Sequence, residues 1–180
     1  MGAATVSQTF KTRSRARATI APPAQSPGPA TLADRTQTMT APFTKDSAYD
    51  IHRVTTFRQR ISRERNALHP PEAGRYHLYA MLGCPWAQRV LIVRELKGLQ
   101  RAISVSFVHH HMVEEEGWAF SEEAPDPLYG LRFLRELYAI ADARFTGRPT
   151  VPVLWDKQRE TIVNNESGEL VRMLGSEFNA

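Results

Sequence analysis

The sequence predicts an α/β fold: a mixed β-sheet with helices on both faces, built in the order βαβαββα. Three observations carry that reading. Short aromatic or β-branched runs alternate with longer stretches of helical periodicity. The first strand-like run passes through a glycine into a helix that opens on proline. The last two strand-like runs are joined only by a polar turn.

Residues 75–82, RYHLYAML, are compact and aromatic-rich, like a buried strand, and Gly83 breaks the pattern. From Pro85 to Lys97, the apolar residues Trp86, Val90, Val93 and Leu96 recur at helical spacing. They are expected to face the core, with Arg89, Arg94 and Glu95 turned elsewhere. Gly98 is placed to end that helix. Residues 102–109, AISVSFVH, alternate Ile103, Val105 and Phe107 with small residues and read as a strand.

A long polar stretch, 110–127, follows. Asp126 can cap a helix with Pro127 at its first position. Leu128, Leu131, Leu134, Leu137 and Tyr138 would then form one apolar face. TVPVLWD (150–156) and TIVN (161–164) read as two strands, and ESGELVRML (166–174) as a short helix ended by Gly175. This order of elements is that of a thioredoxin-like domain.

The domain is expected over 75–180. Residues 43–74 are polar and charged and read as an extension packed on its surface. Residues 1–42 read as a disordered or transit-like leader, because APPAQSPGPA (21–30) suits neither helix nor strand. The start is Arg-rich and acid-poor, as organelle transit peptides are. The expected location is the cytoplasm, with mitochondrion or plastid as the alternative if residues 1–38 act as a transit peptide.

The net charge is +4, which raises the question of a nucleic-acid partner. Of the 23 basic and 19 acidic residues, five and one fall within 1–38, leaving 18 of each for the rest. The basic excess belongs to the leader, so no nucleic-acid partner is expected. Apolar runs fall short of the roughly 18 to 20 residues a membrane span needs, so no membrane partner is expected. One cysteine excludes an internal disulfide framework and a multi-cysteine zinc site.

That cysteine, Cys84 in LGCPWAQRVL, lies where the first strand meets the first helix. Unpaired N–H groups and the helix dipole there favour a thiolate over a thiol. A buried structural cysteine is the other reading. The pattern is C-P-W-A, with no second thiol, so redox work would need a small external thiol to resolve the intermediate.

The proline in TVPVL asks for a reason. A cis Val151–Pro152 bond would turn the Val151 backbone outward to pair with an extended peptide. A trans bond on an edge strand is the alternative. In NNES, Glu166 and Ser167 open a helix. Free N–H groups and the Ser167 hydroxyl can take a carboxylate, and Glu166 an ammonium, or the segment is a plain helix start. His109, His110 and His111 alternate in direction, so no metal site is expected. Trp118 either stacks on a ligand or anchors its loop.

The segments GCPWAQRVLIVRELKGL, DPLYGLRFLRELY, VPVLWD, TIVNNES and RMLGSEFN together resemble the glutathionyl-hydroquinone reductases, the xi-class glutathione transferases. The likeness runs from about residue 43 to 179. It implies a thioredoxin-like domain followed by an all-helical domain, for which the sequence carries no counterpart; only the N-terminal part is represented. It implies Cys84 as the catalytic nucleophile and glutathione as co-substrate, without a metal. Glutathione binding would fall to Trp118, to Arg148, Pro149, Thr150, Val151 and Pro152, and to Glu166 and Ser167. The implied partners are glutathione and quinone-derived glutathionyl adducts, with a homodimer left open. The implied reaction reduces glutathionyl-hydroquinones to hydroquinones through a Cys84–glutathione mixed disulfide. General monothiol exchange and a non-catalytic glutathione-binding short form stand as alternatives.

Overall fold

The computed structural model describes residues 56–113 and 116–179. The leader and residues 43–55 of the extension lie outside the described residues. Those described form β1 (Tyr76–Ala80), α1 (Pro85–Leu96), β2 (Ile103–Phe107), β3 (Met112–Val113), β4 (Gly117–Trp118), α2 (Leu134–Ala141), β5 (Val153–Asp156), β6 (Thr161–Asn164) and α3 (Ser167–Ser176).

The main sheet has the order β2-β1-β5-β6. β1 pairs parallel with β2 and antiparallel with β5, and β5 pairs antiparallel with β6, so the sheet is mixed as expected. Side chains alternate across it. Tyr79, Val153, Trp155 and Ile162 meet Leu134, Leu137 and Tyr138 of α2. Tyr76, Leu78, Leu154 and Val163 meet Val90 of α1 and Leu170, Met173 and Leu174 of α3. Helices on both faces leave β1 buried throughout, which is why its sequence is apolar and aromatic apart from His77.

α1 corrects the expected burial. Its inward residues are Ala87, Val90 and Arg94, while Trp86 is 61% and Leu96 81% exposed. Packing against α3 selects that face. Arg94 is buried because its guanidinium donates to the carbonyls of Ile103 (2.7 Å) and Gln100 (3.2 Å). It thereby fixes the turn into β2. Gly98 has φ +65°, with Gly98 N–H on the Glu95 carbonyl and Leu99 N–H on that of Arg94. This is the Schellman ending that a left-handed residue permits.

α2 starts at Leu134 and not at Pro127. The Asp126 carboxylate accepts from the N–H groups of Leu128, Tyr129 and Leu131, and from the Tyr79 hydroxyl at 2.9 Å. It therefore builds a buried turn instead of capping a helix. Glu136 reaches back to the N–H groups of Arg132 (2.8 Å) and Phe133 (3.0 Å), which sets the true start. The β3–β4 hairpin within the polar stretch was not expected. α3 runs through Gly175 to Ser176 instead of ending at the glycine.

Residues 58 and 59 lie along the outer edge of β6. Arg58 bridges to Asn164, Gln59 N–H donates to Val163 O (2.9 Å), and Arg58 pairs with Glu169. Phe57 enters the α2-side core and Ile61 the α1/α3-side core.

Candidate functional site

Cys84 occupies the N-cap of α1 with extended backbone (φ −86°, ψ 116°), and Pro85 opens the helix. Its side chain is half-buried against the α2-side core. The thiol points across to the loop before β5, where its sulfur lies 3.8 Å from the Val151 carbonyl oxygen. The Val151–Pro152 bond is cis. Two separate sequence features thus form one place: a thiol at a helix N-terminus and a strand-entry backbone beside it.

The start of α3 is the second part. Asn164 ends β6 fully buried, accepts from Glu166 N–H (2.7 Å) and donates to Gln59 O (3.1 Å) and Glu169 (2.7 Å). Glu166 is the N-cap, accepting from Gly168 N–H at 3.3 Å. Ser167 is buried, and its hydroxyl receives a hydrogen bond from Arg89 of α1. The same guanidinium lies 3.8 Å from the Glu166 carboxylate and 4.9 Å from the Trp86 ring centre. Arg89 thus ties the helix that carries Cys84 to the helix that carries Glu166 and Ser167. Its spacing on α1 had assigned it only to an outer face.

The loop before β5 is tied to the same place. The Tyr138 hydroxyl donates to Thr150 O (2.9 Å) and accepts from Thr150 N–H (3.1 Å). It also accepts from the Asn165 amide (2.9 Å), which in turn reaches Thr150 Oγ1 at 3.3 Å. Pro149 is buried and Arg148 exposed. Trp118 is half-buried in β4 against the same core as Cys84, paired with Met112, whose sulfur lies 3.9 Å from Arg148. The structure therefore brings Cys84, Thr150, Val151, Pro152, Glu166 and Ser167 into one linked network. Trp118 and Arg148 join it through the hairpin. Among the described residues no group of His, Cys, Asp and Glu side chains is placed to hold a metal, and no helix is long and apolar enough to cross a membrane.

A thiol at a helix start, beside a backbone segment and within one network of a helix N-terminus, is a geometry for thiol exchange with a short peptide. The profile of the glutathione S-transferase N-terminal domain matches residues 83–177, a little over half of the chain. The chain belongs to the glutathione S-transferase family. The matched span contains every site residue from Cys84 to Ser167. Within the family, the chain is 52% identical over 110 residues to the glutathionyl-hydroquinone reductase PcpF of Sphingobium chlorophenolicum, covering 59% of this chain and 35% of that protein. It is 53% identical over 113 residues to the glutathionyl-hydroquinone reductase YqjG of Escherichia coli, covering 61% and 34%. The glutathione-bound structure of YqjG from Escherichia coli superposes with a TM-score of 0.64 at 45% identity, covering 68% of this chain and 42% of that one. The chain spans between a third and a half of the length of these relatives.

Proposed function

We propose that the chain takes part in glutathione-dependent reduction of glutathionyl-hydroquinones, with Cys84 as nucleophile. The observation that carries this is the 3.8 Å approach of the Cys84 thiol to the Val151 carbonyl. A tripeptide laid along the Val151 backbone would present its sulfur to Cys84. The network from Thr150 to Ser167 would then hold its γ-glutamyl end, with the carboxylate on Ser167 and the α3 N–H groups and the ammonium on Glu166. The names of the relatives support the substrate class.

The Cys84 thiolate attacks the sulfur of the glutathionyl adduct and forms a disulfide with it. The bond from that sulfur to the ring carbon breaks, its electron pair stays on the ring, and the carbon takes a proton, releasing hydroquinone. Cys84 and the glutathione sulfur are oxidised as the ring is reduced. A second glutathione thiolate attacks the glutathione sulfur of the mixed disulfide, releasing oxidised glutathione and the Cys84 thiolate. With a single cysteine, the second thiol has to come from solution.

The test is incubation of the full chain with a glutathionyl-hydroquinone and glutathione, following hydroquinone and oxidised glutathione together. Equimolar appearance of both is expected. A chain that turns over a simple glutathione mixed disulfide but not the hydroquinone adduct would replace this reading with general monothiol exchange.

A further inference from the structure

The Tyr138 side chain comes from α2, on the sheet face opposite α1 and α3, and is fully buried. Phe57 packs its edge against the ring at 5.6 Å and Phe145 tilts over it at 4.8 Å, so the ring is held from two sides. A phenol hydroxyl has one proton to donate and two lone pairs to accept with. All three are used by two loops. The proton goes to Thr150 O; the lone pairs take Thr150 N–H and the Asn165 amide. Thr150 directly precedes Val151, and Asn165 directly precedes Glu166. Burial raises the phenol pKa above its ordinary value, against the lowering effect of the Thr150 and Asn165 hydrogen bonds, so the hydroxyl keeps the proton it donates.

We infer that Tyr138 is a positioning residue for the tripeptide ligand: its hydroxyl locks the Val151 backbone and the Glu166–Ser167 helix start into one fixed spacing. This rests on the glutathione reading above and assigns the group that sets the distance between its two ends. A ligand held at its cysteinyl backbone and at its γ-glutamyl head loses affinity when those anchors drift apart. Core packing alone asks only for the ring, which phenylalanine supplies.

The experiment is calorimetric titration of the full chain and of Tyr138→Phe with glutathione, alongside the alkylation rate of Cys84 by iodoacetamide. The substitution is expected to raise the glutathione Kd about ten-fold, as removal of a shared buried hydrogen-bonding group does. The alkylation rate should stay within about two-fold, because Cys84 keeps its place at the N-terminus of α1, the feature that governs thiol reactivity there. Asn165→Ala should raise Kd as well. The double variant should lose less than the product of the two single losses, because the Asn165 amide shares the Tyr138 hydroxyl in addition to its own bond to Thr150 Oγ1. Equal glutathione affinity in Tyr138→Phe and wild type overturns the inference, as does a double variant that shows the full product. If the wild-type chain takes up no glutathione, the glutathione reading falls and this inference falls with it; if the wild type binds and Tyr138→Phe binds equally, only this inference falls.

Discussion

The Cys84 thiol lies 3.8 Å from the Val151 carbonyl, across 67 residues of sequence. β1 and β5 are neighbours in the sheet, so the segment that follows β1 and the segment that precedes β5 emerge at the same end of their antiparallel pair. The sheet order therefore does the placing. The proposed thiol exchange would use the thiol of the first segment and the Val151 backbone of the second.

Cys84→Ser should remove turnover by roughly a thousand-fold or more, since serine cannot form the mixed disulfide. The thermal midpoint should barely change, because the half-buried side chain gains no volume. Mass spectrometry after treatment with oxidised glutathione should show one glutathionyl group on the wild type and none on the variant. A variant that still turned over would remove Cys84 from the reaction.

Glu166→Gln keeps the shape and the acceptor that caps Gly168 N–H, and removes the charge proposed to meet the ligand ammonium. The KM for glutathione should rise roughly ten-fold or more, the scale of a charge-assisted hydrogen bond, with unfolding unaffected. Steady-state kinetics over a range of glutathione concentrations checks this. An unchanged KM would place the γ-glutamyl group elsewhere.

The elements most legible in the sequence were those with a period or a stop residue. β6 is found where TIVN places it, and Gly98 ends α1 through a left-handed turn. The start of α2 was misread because Asp126 before Pro127 is a valid cap signal, yet Tyr79 and three backbone N–H groups claim that carboxylate. The buried face of α1 was misread because Trp86 is apolar in composition, yet the inward residues are Ala87, Val90, which clusters with Leu170 and Met173 of α3, and Arg94, held by the carbonyls of Ile103 and Gln100. Two-residue strands such as β3 and β4 have no period to detect. At the site, Cys84, Pro152, Glu166 and Ser167 stood out by residue type and local context. Tyr138, Asn165 and Arg89 did not, because their roles lie in hydrogen bonds to groups far along the chain.

Asp156 ends β5 fully buried, between the Arg75 guanidinium (2.5 to 3.0 Å) and His69 Nδ1 (2.8 Å). It also accepts from Gln158 and Arg159 N–H. Burial raises its carboxyl, but the hydrogen bonds from Arg75 and His69 outweigh that and hold it below the usual carboxylate range. Asp156→Asn removes the buried counter-charge of Arg75, leaving it only the exposed Glu72 carboxylate at 3.6 Å, and should cost on the order of 3 kcal/mol in urea unfolding. A cost under about 0.5 kcal/mol would show that Arg75 finds equivalent partners.

His77 gives the fold a pH dependence. Its two ring nitrogens face the hydroxyls of Ser104 (2.7 Å) and Ser106 (2.9 Å), which suits a neutral ring with one donor and one acceptor. Burial lowers its pKa from 6.5 to about 4, with Asp126 opposing and Lys157 and Arg94 assisting. The unfolded chain therefore binds a proton below pH 6.5 that the folded chain takes up only near pH 4. Stability is unaffected by this group above pH 6.5 and falls as pH drops through that window. The loss by pH 4 is on the order of 3 kcal/mol. His69, also lowered by burial despite its bond to Asp156, adds a loss of the same sign. Asp156 and Glu169, held low, lose their contributions as pH falls from the ordinary carboxylate range through their own reduced values. Urea unfolding of the wild type and His77→Gln at about pH 7, 5.5 and 4.5, across the window between the two pKa values, should give a shallower decline in the variant. Parallel declines would show that His77 takes up its proton in the folded state.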